Sequence, residues 1–227
     1  MKTFTLFLTY LFVTLLPASP QTAGTLLNKM SEALAAGQND YAVSLFRQAA
    51  QSNADETEMY YWTEINKSGD LVPRLAQELA VYYKGVRNYD KAYLFYRELL
   101  QRRPDDVSAL VSCAEVQLMR DKEKDAMKLY EKVLTLDNDN LQANIFLGNY
   151  YYLQAEKAKK KLDDDYKKLT SPTKMQYARY RNGLSDVYSN SYAKAKNYLQ
   201  RVLQLFPSNE AGKTLEKIRK VEKEVRQ

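Results

Sequence analysis

The sequence predicts an all-α protein of stacked helical hairpins, and three observations predict it. Apolar residues recur at spacings of three and four along nearly the whole chain after its N-terminal segment. The triplet Ala92, Tyr96 and Leu99, in "NYDKAYLFYRELLQRRPDD", returns 34 residues later as Ala126, Tyr130 and Val133, in "DAMKLYEKVLTLDNDN". The seven Gly and six Pro among 227 residues fall mostly between periodic segments. A lone amphipathic helix needs an apolar face but no fixed residue types on it. A helix packed against copies of itself needs a small residue where axes come closest and an aromatic beside it. Self-similarity at such a period is how helical solenoids show themselves in sequence, each hairpin burying its apolar face against the next.

The chain begins with Lys2 and an uncharged apolar run from Phe4 to Leu16, followed by small and turn-forming residues from Pro17 to Gly24. That run would make about 20 Å of helix, short of the roughly 30 Å of a bilayer core. Residues 1–23 therefore read as a cleaved secretory signal, with the mature N-terminus between Ser19 and Gly24. No Cys follows the run, so a lipid-modified N-terminus is unsupported, and no second apolar run has spanning length.

The remaining chain, 24–227, reads as one solenoid domain. A first unit, about 24–56, shows Ala42, Phe46 and Ala49 in "NDYAVSLFRQAAQSNAD". "TEMYYWTEINKSGDLV" follows as an extra helix carrying Trp62 before a Ser-Gly-Asp break. The unit 73–106 opens on Pro73, with Leu79, Ala80 and Tyr83 in its first helix and Tyr89, Ala92, Tyr96, Leu99 and Pro104 in its second. The unit 107–140 has Leu110, Cys113 and Ala114 in its first helix. The last unit, 141–209, starts with Leu147, Gly148 and Tyr151 and ends on "SYAKAKNYLQRVLQLFP", with Tyr192, Ala195, Leu199, Val202 and Pro207. "NEAGKTLEKIRKVEKEVRQ", from about 210 to 227, reads as a charged capping helix, the polar end a solenoid needs.

These residues resemble the tetratricopeptide repeat, and the resemblance covers nearly all of the mature chain. It implies a right-handed solenoid of helical hairpins whose first helices line a concave groove holding a peptide or helix. On that alignment the groove is lined by Arg74, Gln77, Val81, Lys84, Val111, Glu115, Leu118, Ile145, Asn149 and Tyr152. Family members that hold a C-terminal carboxylate use paired Lys and Asn. Here Ile145 stands where the Lys partner of Asn149 would be, so that clamp is not reproduced.

The last unit departs from the period by 35 residues, an insertion of about 154–188. Its first helix runs on through "QAEKAKKKLDDDYKKL", with Leu147, Tyr151, Ala155, Ala158, Leu162, Tyr166 and Leu169 on one stripe. "TSPT" turns the chain, with Ser171 as expected N-cap and Pro172 at the first helical position. A second stripe follows at Tyr177, Tyr180, Leu184 and Val187. Two such stripes predict an antiparallel helical hairpin. A helix from Leu141 to Leu169 would be about 43 Å long, so the hairpin is expected to project.

Little in the sequence points to catalysis. There is no His, which removes the commonest proton shuttle and the commonest metal ligand. The lone Cys113 allows no intrachain disulfide and reads as a small core residue. "AGKT" at 211–214 ends like a phosphate-binding loop, but Pro207 holds the place of the required Gly. Asp163, Asp164 and Asp165 point about 100° apart on a helix and cannot converge on one ion unaided. No catalytic, cofactor-binding or metal residue is expected.

Charge is uneven along the chain. Residues 24–153 carry 15 Lys and Arg against 19 Asp and Glu, a net of −4; residues 154–227 carry 18 against 9, a net of +9. Lys159, Lys160, Lys167, Lys168, Arg179 and Arg181 place much of the excess on the insertion, which reads either as a second contact surface for an acidic partner or anionic membrane or as an extended brace that only covers the last repeat. Nucleic acid is disfavoured by the export signal. The expected function is a non-enzymatic protein–protein interaction scaffold in the periplasm of a Gram-negative bacterium. One alternative is a peripheral membrane-associated assembly factor using the basic C-terminal third. The weakest is an enzyme or an enzyme's regulatory subunit.

Overall fold

The computed structural model describes residues 21–227, so most of the expected signal peptide lies outside the described residues. Every regular element among them is helical. The chain divides into two compact units at Ile65/Asn66.

The first unit holds α1 (Ala23–Ala35), α2 (Asn39–Ser52) and α3 (Ala54–Thr63). Thr22 and Asn53 cap α1 and α3 by accepting the backbone N–H groups of Thr25 and Glu56. Leu26, Leu27 and Met30 of α1 and Ala42, Phe46 and Ala49 of α2 are buried. The extra helix, expected within 57–72, is α3 and starts earlier, because Asn53 supplies its cap. Its buried aromatic is Tyr61, tilted against Phe46 with ring centroids 6.4 Å apart, while Trp62 is exposed.

The second unit repeats one hairpin. α4 (Val72–Gly85) packs on α5 (Tyr89–Arg102), and α6 (Val107–Met119) packs on α7 (Glu123–Leu136). Pro73 sits in the first turn of α4, where its missing N–H costs nothing. Asp106 and Asn140, 34 residues apart, cap the first helices of successive hairpins. The turns within the hairpins also repeat. Arg87 and Asp121 both adopt a left-handed backbone, at φ 61° and 58°. Each is followed by an N–H reaching five residues back, Asn88 to Tyr83 O and Lys122 to Gln117 O, both 2.8 Å. This closes the helix C-terminus and reverses the chain. Gly37 makes the same turn inside the first unit, at φ 72°.

Small residues mark where the helices come close. Ala80, Ala114 and Gly148, each 34 residues apart, are all buried, as are Ala92, Ala126 and Ala195 in the second helices. A Cβ on Gly148 would lie 2.8 Å from both Cγ and Cδ2 of Leu199. Around these contacts Leu110, Tyr130, Val133, Ala143 and Leu147 form one continuous core.

The last hairpin is elongated in both arms. α8 (Leu141–Lys167) has 27 residues, about 40 Å. The residue that would turn the chain if the period held is Ala155, and it is helical and fully buried. The return arm is α9 (Lys174–Val187), one π-helical turn (Tyr188–Tyr192) and α10 (Ala193–Leu205), without a break. Within the π turn the Ala193 N–H reaches Tyr188 O, one residue farther than in an α-helix. The expected N-cap at Ser171 is not used. Thr173 caps α9 instead, because a reciprocal cap needs a Glu or Gln three residues on, and Gln176 supplies it. Tyr166 stacks on Tyr180 at 4.6 Å, and Gly183 lets Leu162 approach closely. α11 (Asn209–Arg226) closes the C-terminal end, burying Ala211, Leu215, Ile218 and Val221 in a core with Leu184, Tyr192 and Leu199.

Ala126 has no exposed surface. Ala126→Leu is expected to overpack its contact and cost about 1–3 kcal/mol. Lys128→Leu, at an exposed position of the same helix, should change stability by less than about 0.5 kcal/mol. Thermal denaturation of the two variants checks this.

Candidate partner-binding surfaces

Three first helices of the second unit, α4, α6 and α8, are bridged by polar side chains. Lys84 on α4 forms an ion pair with Glu115 on α6. Gln142 on α8 donates to the other oxygen of the same carboxylate at 3.0 Å. The expected groove residues lie along these helices at the repeat spacing. Gln77, Val81, Ile145 and Asn149 are exposed, and Val81 is 53% accessible. Arg74, Leu118 and Tyr152 are half-buried. Val111 is the correction. It is buried among Leu110, Ala114 and Ala143, so it supports the surface from beneath and presents nothing to a ligand.

The bridge changes the electrostatics of this surface. Lys84 and Glu115 neutralise each other, so their stretch offers amide and aliphatic groups with little net charge. Gln142, which completes the bridge, was not expected from the sequence. It stands in the first turn of α8, and only the packed helices bring it to Glu115. Cys113 lies below the surface, and burial pushes its thiol up to about 11. It is a core residue.

The six basic residues expected on the insertion do not form one surface. Lys159 pairs with Asp163 at 2.9 Å and Glu224 at 3.5 Å. Arg181 donates to the backbone carbonyls of Glu224 and Val225 at 2.7 and 2.9 Å, closing the C-terminus of α11. Both thus tie the base of the hairpin to α11, Lys159 through the Glu224 carboxylate and Arg181 through helix-end carbonyls, whose unsatisfied oxygens attract a guanidinium. Lys168 pairs with Asp165 at 2.9 Å on the exposed flank. Arg179 is exposed near Met175. Lys160 and Lys167 are exposed and face α11 across a cleft of about 540 Å³, with Lys217 and Lys220 on the opposite wall.

Tyrosine hydroxyls secure the carboxylates along the hairpin. Tyr192 donates to Glu156 at 2.6 Å, and Tyr180 donates to Asp163 at 2.8 Å. Burial, reinforced by these carboxylates, raises both phenols well above their ordinary range. Burial would raise the Asp163 carboxyl, but the hydrogen bonds from Lys159 and Tyr180 outweigh it and hold it below the usual carboxylate range. At the tip, Leu162, Tyr166, Leu169 and Tyr180 line a smaller cleft of about 220 Å³, beside exposed Met175 and Tyr177.

Among the described residues, no three or more acidic, Cys or His side chains gather into a metal-holding group, and no helix is long and apolar enough to cross a membrane. No protein-family model matches the chain, and no curated protein does. Among solved structures, a candidate protein-binding protein from Bacteroides ovatus ATCC 8483 is 60% identical. The match covers 90% of this chain and 100% of that one, with a TM-score of 0.80. A tetratricopeptide-repeat protein from Bacteroides fragilis NCTC 9343 is 12% identical over 87% of this chain and 97% of its own, with a TM-score of 0.38. Another, from Thermus thermophilus, is 15% identical over 88% and 98%, with a TM-score of 0.34.

Arg181→Ala removes the two bonds that cap α11. The expected cost is about 1 kcal/mol, since charge-assisted bonds of this kind weaken where solvent reaches them. Amide exchange should speed up selectively over residues 221–226, as hydrogen–deuterium exchange mass spectrometry would show.

Proposed function

Because this chain belongs to the tetratricopeptide-repeat family, we propose that it is a non-enzymatic protein–protein interaction scaffold that holds a peptide or helix against α4, α6 and α8. Membership in this family rests on the helical hairpins of the chain itself, which recur at a 34-residue period. The observation that carries the reading is the surface bridged by Lys84, Glu115 and Gln142. Around that bridge Gln77, Val81, Ile145 and Asn149 stay exposed on first helices. Such a surface combines aliphatic area with amide donors and acceptors, which suits the side chains and backbone of a bound segment. That the Bacteroides ovatus protein is itself a candidate protein-binding protein supports a protein ligand.

The scaffold works outside the cytoplasm, in the periplasm, on this proposal. Lys2, the apolar run Phe4–Leu16 and the small residues after it support export. Intact-mass measurement on the native protein should find the mature N-terminus between Ser19 and Gly24. Retention of Met1 would overturn this part of the proposal.

A photoreactive amino acid at Ile145 should crosslink to a protein partner in intact cells. The same group at Leu94, exposed on the second helix α5, should crosslink several-fold less. Equal yields at the two positions would rule against the first-helix surface.

A further inference from the structure

We propose that the cleft between α8 and α11 binds an acidic segment of a protein partner, at the C-terminal end of the first-helix surface. The inference rests on the scaffold reading and adds the charge of one partner segment. Five lysines line the cleft; Lys159 is paired with Asp163, which leaves four, Lys160 and Lys167 on α8 and Lys217 and Lys220 on α11. Seven residues separate the first pair, about two helical turns or 10 Å, and three separate the second. Two rows of ammonium groups therefore face one space. Among the described residues none of the four enters a hydrogen bond or ion pair.

The cleft also contains Lys159, Glu156, Asp163 and Asp164, and their partners explain why it remains basic. Glu156 accepts the Tyr192 hydroxyl, while Asp163 accepts both Lys159 and the Tyr180 hydroxyl. Two of the three carboxylates are thus engaged by donors of the protein itself. Lys159 neutralises Asp163, whereas the neutral Tyr192 hydroxyl leaves Glu156 its charge, so Glu156 and Asp164 offset two of the four remaining lysines and the lining stays net positive. Like charges gathered in a cleft repel, and low-dielectric walls focus their field outward. An anionic segment relieves that repulsion.

Carboxylates distributed along a chain fit this arrangement better than one compact anion. The lysines are spread over about two turns of α8. The lining has no Arg fork for a bidentate oxyanion, and it is formed along helix sides, away from the free N–H groups of a helix N-terminus. Tyr152 and Val221 supply apolar surface for the aliphatic stems of a bound segment. Tyr152 also belongs to the first-helix surface, so one partner can run from one site into the other.

The test uses the mature chain and a fluorescein-labelled poly-glutamate peptide, with poly-glutamine as control, by fluorescence anisotropy. Poly-glutamate should bind, poly-glutamine should not, and the affinity should fall as ionic strength rises. The quadruple variant Lys160→Gln, Lys167→Gln, Lys217→Gln, Lys220→Gln should weaken binding about tenfold or more. A variant with the same charge change at exposed Lys29, Lys124, Lys128 and Lys213 should stay within about threefold. Circular dichroism checks that both variants fold. Equal losses in the two variants, or no binding by the wild type, would overturn the proposal. So would binding to phosphatidylglycerol vesicles through the same four lysines without binding to the peptide, because the occupant would then be lipid. Ile145→Asp should leave poly-glutamate affinity within about twofold. The cleft and the rest of the surface can thus fail separately.

Discussion

Close approach between helices is the constraint on which the second unit depends. Two helices meet axis to axis only where their side chains are small, and every other contact follows from the spacing so set. Ala80, Ala114 and Gly148 supply such positions on the first helices, and Ala92, Ala126 and Ala195 on the second. Gly148 is the extreme case, since Leu199 occupies the space a Cβ would need. With the axes so held, aromatic rings fill the remaining grooves: Tyr83 stacks on Phe95, Tyr130 tilts on Phe146, and Tyr151 stacks on Tyr198. Tyr83, Phe95 and Tyr130 are buried and Phe146, Tyr151 and Tyr198 half-buried, so the first-helix surface can keep exposed polar residues without loss of core.

The elongated hairpin follows from one turn that is not made. In the hairpins α4–α5 and α6–α7, a residue in the left-handed region ends the first helix and sends the chain back. At the corresponding place α8 has Ala155 packed in the core, and the helix continues. Continuing it creates a problem of charge as well as length, because the extension is dense in Lys and Asp. The structure answers with short-range pairs and tyrosine hydroxyls, and with Lys159 and Arg181 tied to α11. The π turn at Tyr188–Tyr192 accommodates one extra residue where the return arm passes from the extension to the repeat proper. At the same place Tyr192 turns inward to Glu156.

Surface charge thereby sorts into two regimes. Around α4, α6 and the start of α8, opposite charges and amides satisfy one another, leaving a nearly neutral surface with exposed aliphatic patches. Between α8 and α11 the carboxylates are drawn to internal donors while lysines remain outward. A partner whose segment is amphiphilic at one end and acidic at the other would match both. Neither regime needs a reactive side chain, and the one thiol is buried with its proton held tightly.

Much of this is legible in the sequence. The 34-residue recurrence of Ala, aromatic and aliphatic positions determined the hairpins, because helix packing demands particular sizes at particular places. The stripes through Leu162, Tyr166, Tyr180 and Leu184 likewise determined the paired arms of the extension. The cap of α9 is a local rule that the reading at Ser171 missed: Ser171 precedes Pro172, but Thr173 has the reciprocal Gln176 three residues on. What tertiary structure alone decided was the fate of each charge. Arg181 and Lys159 looked like free basic residues, yet α11, more than 40 positions away from Arg181, brings its terminal carbonyls to one and Glu224 to the other. Val111 shared the periodic position of Gln77 and Ile145 but turned into the core, and Gln142 completed a bridge to Glu115 from another helix. Packing is written in the sequence because it depends on size and recurs with the repeat. Charge pairing is not, because it depends on which side chains the fold brings within about 3 Å of each other, and that is a property of the assembled helices.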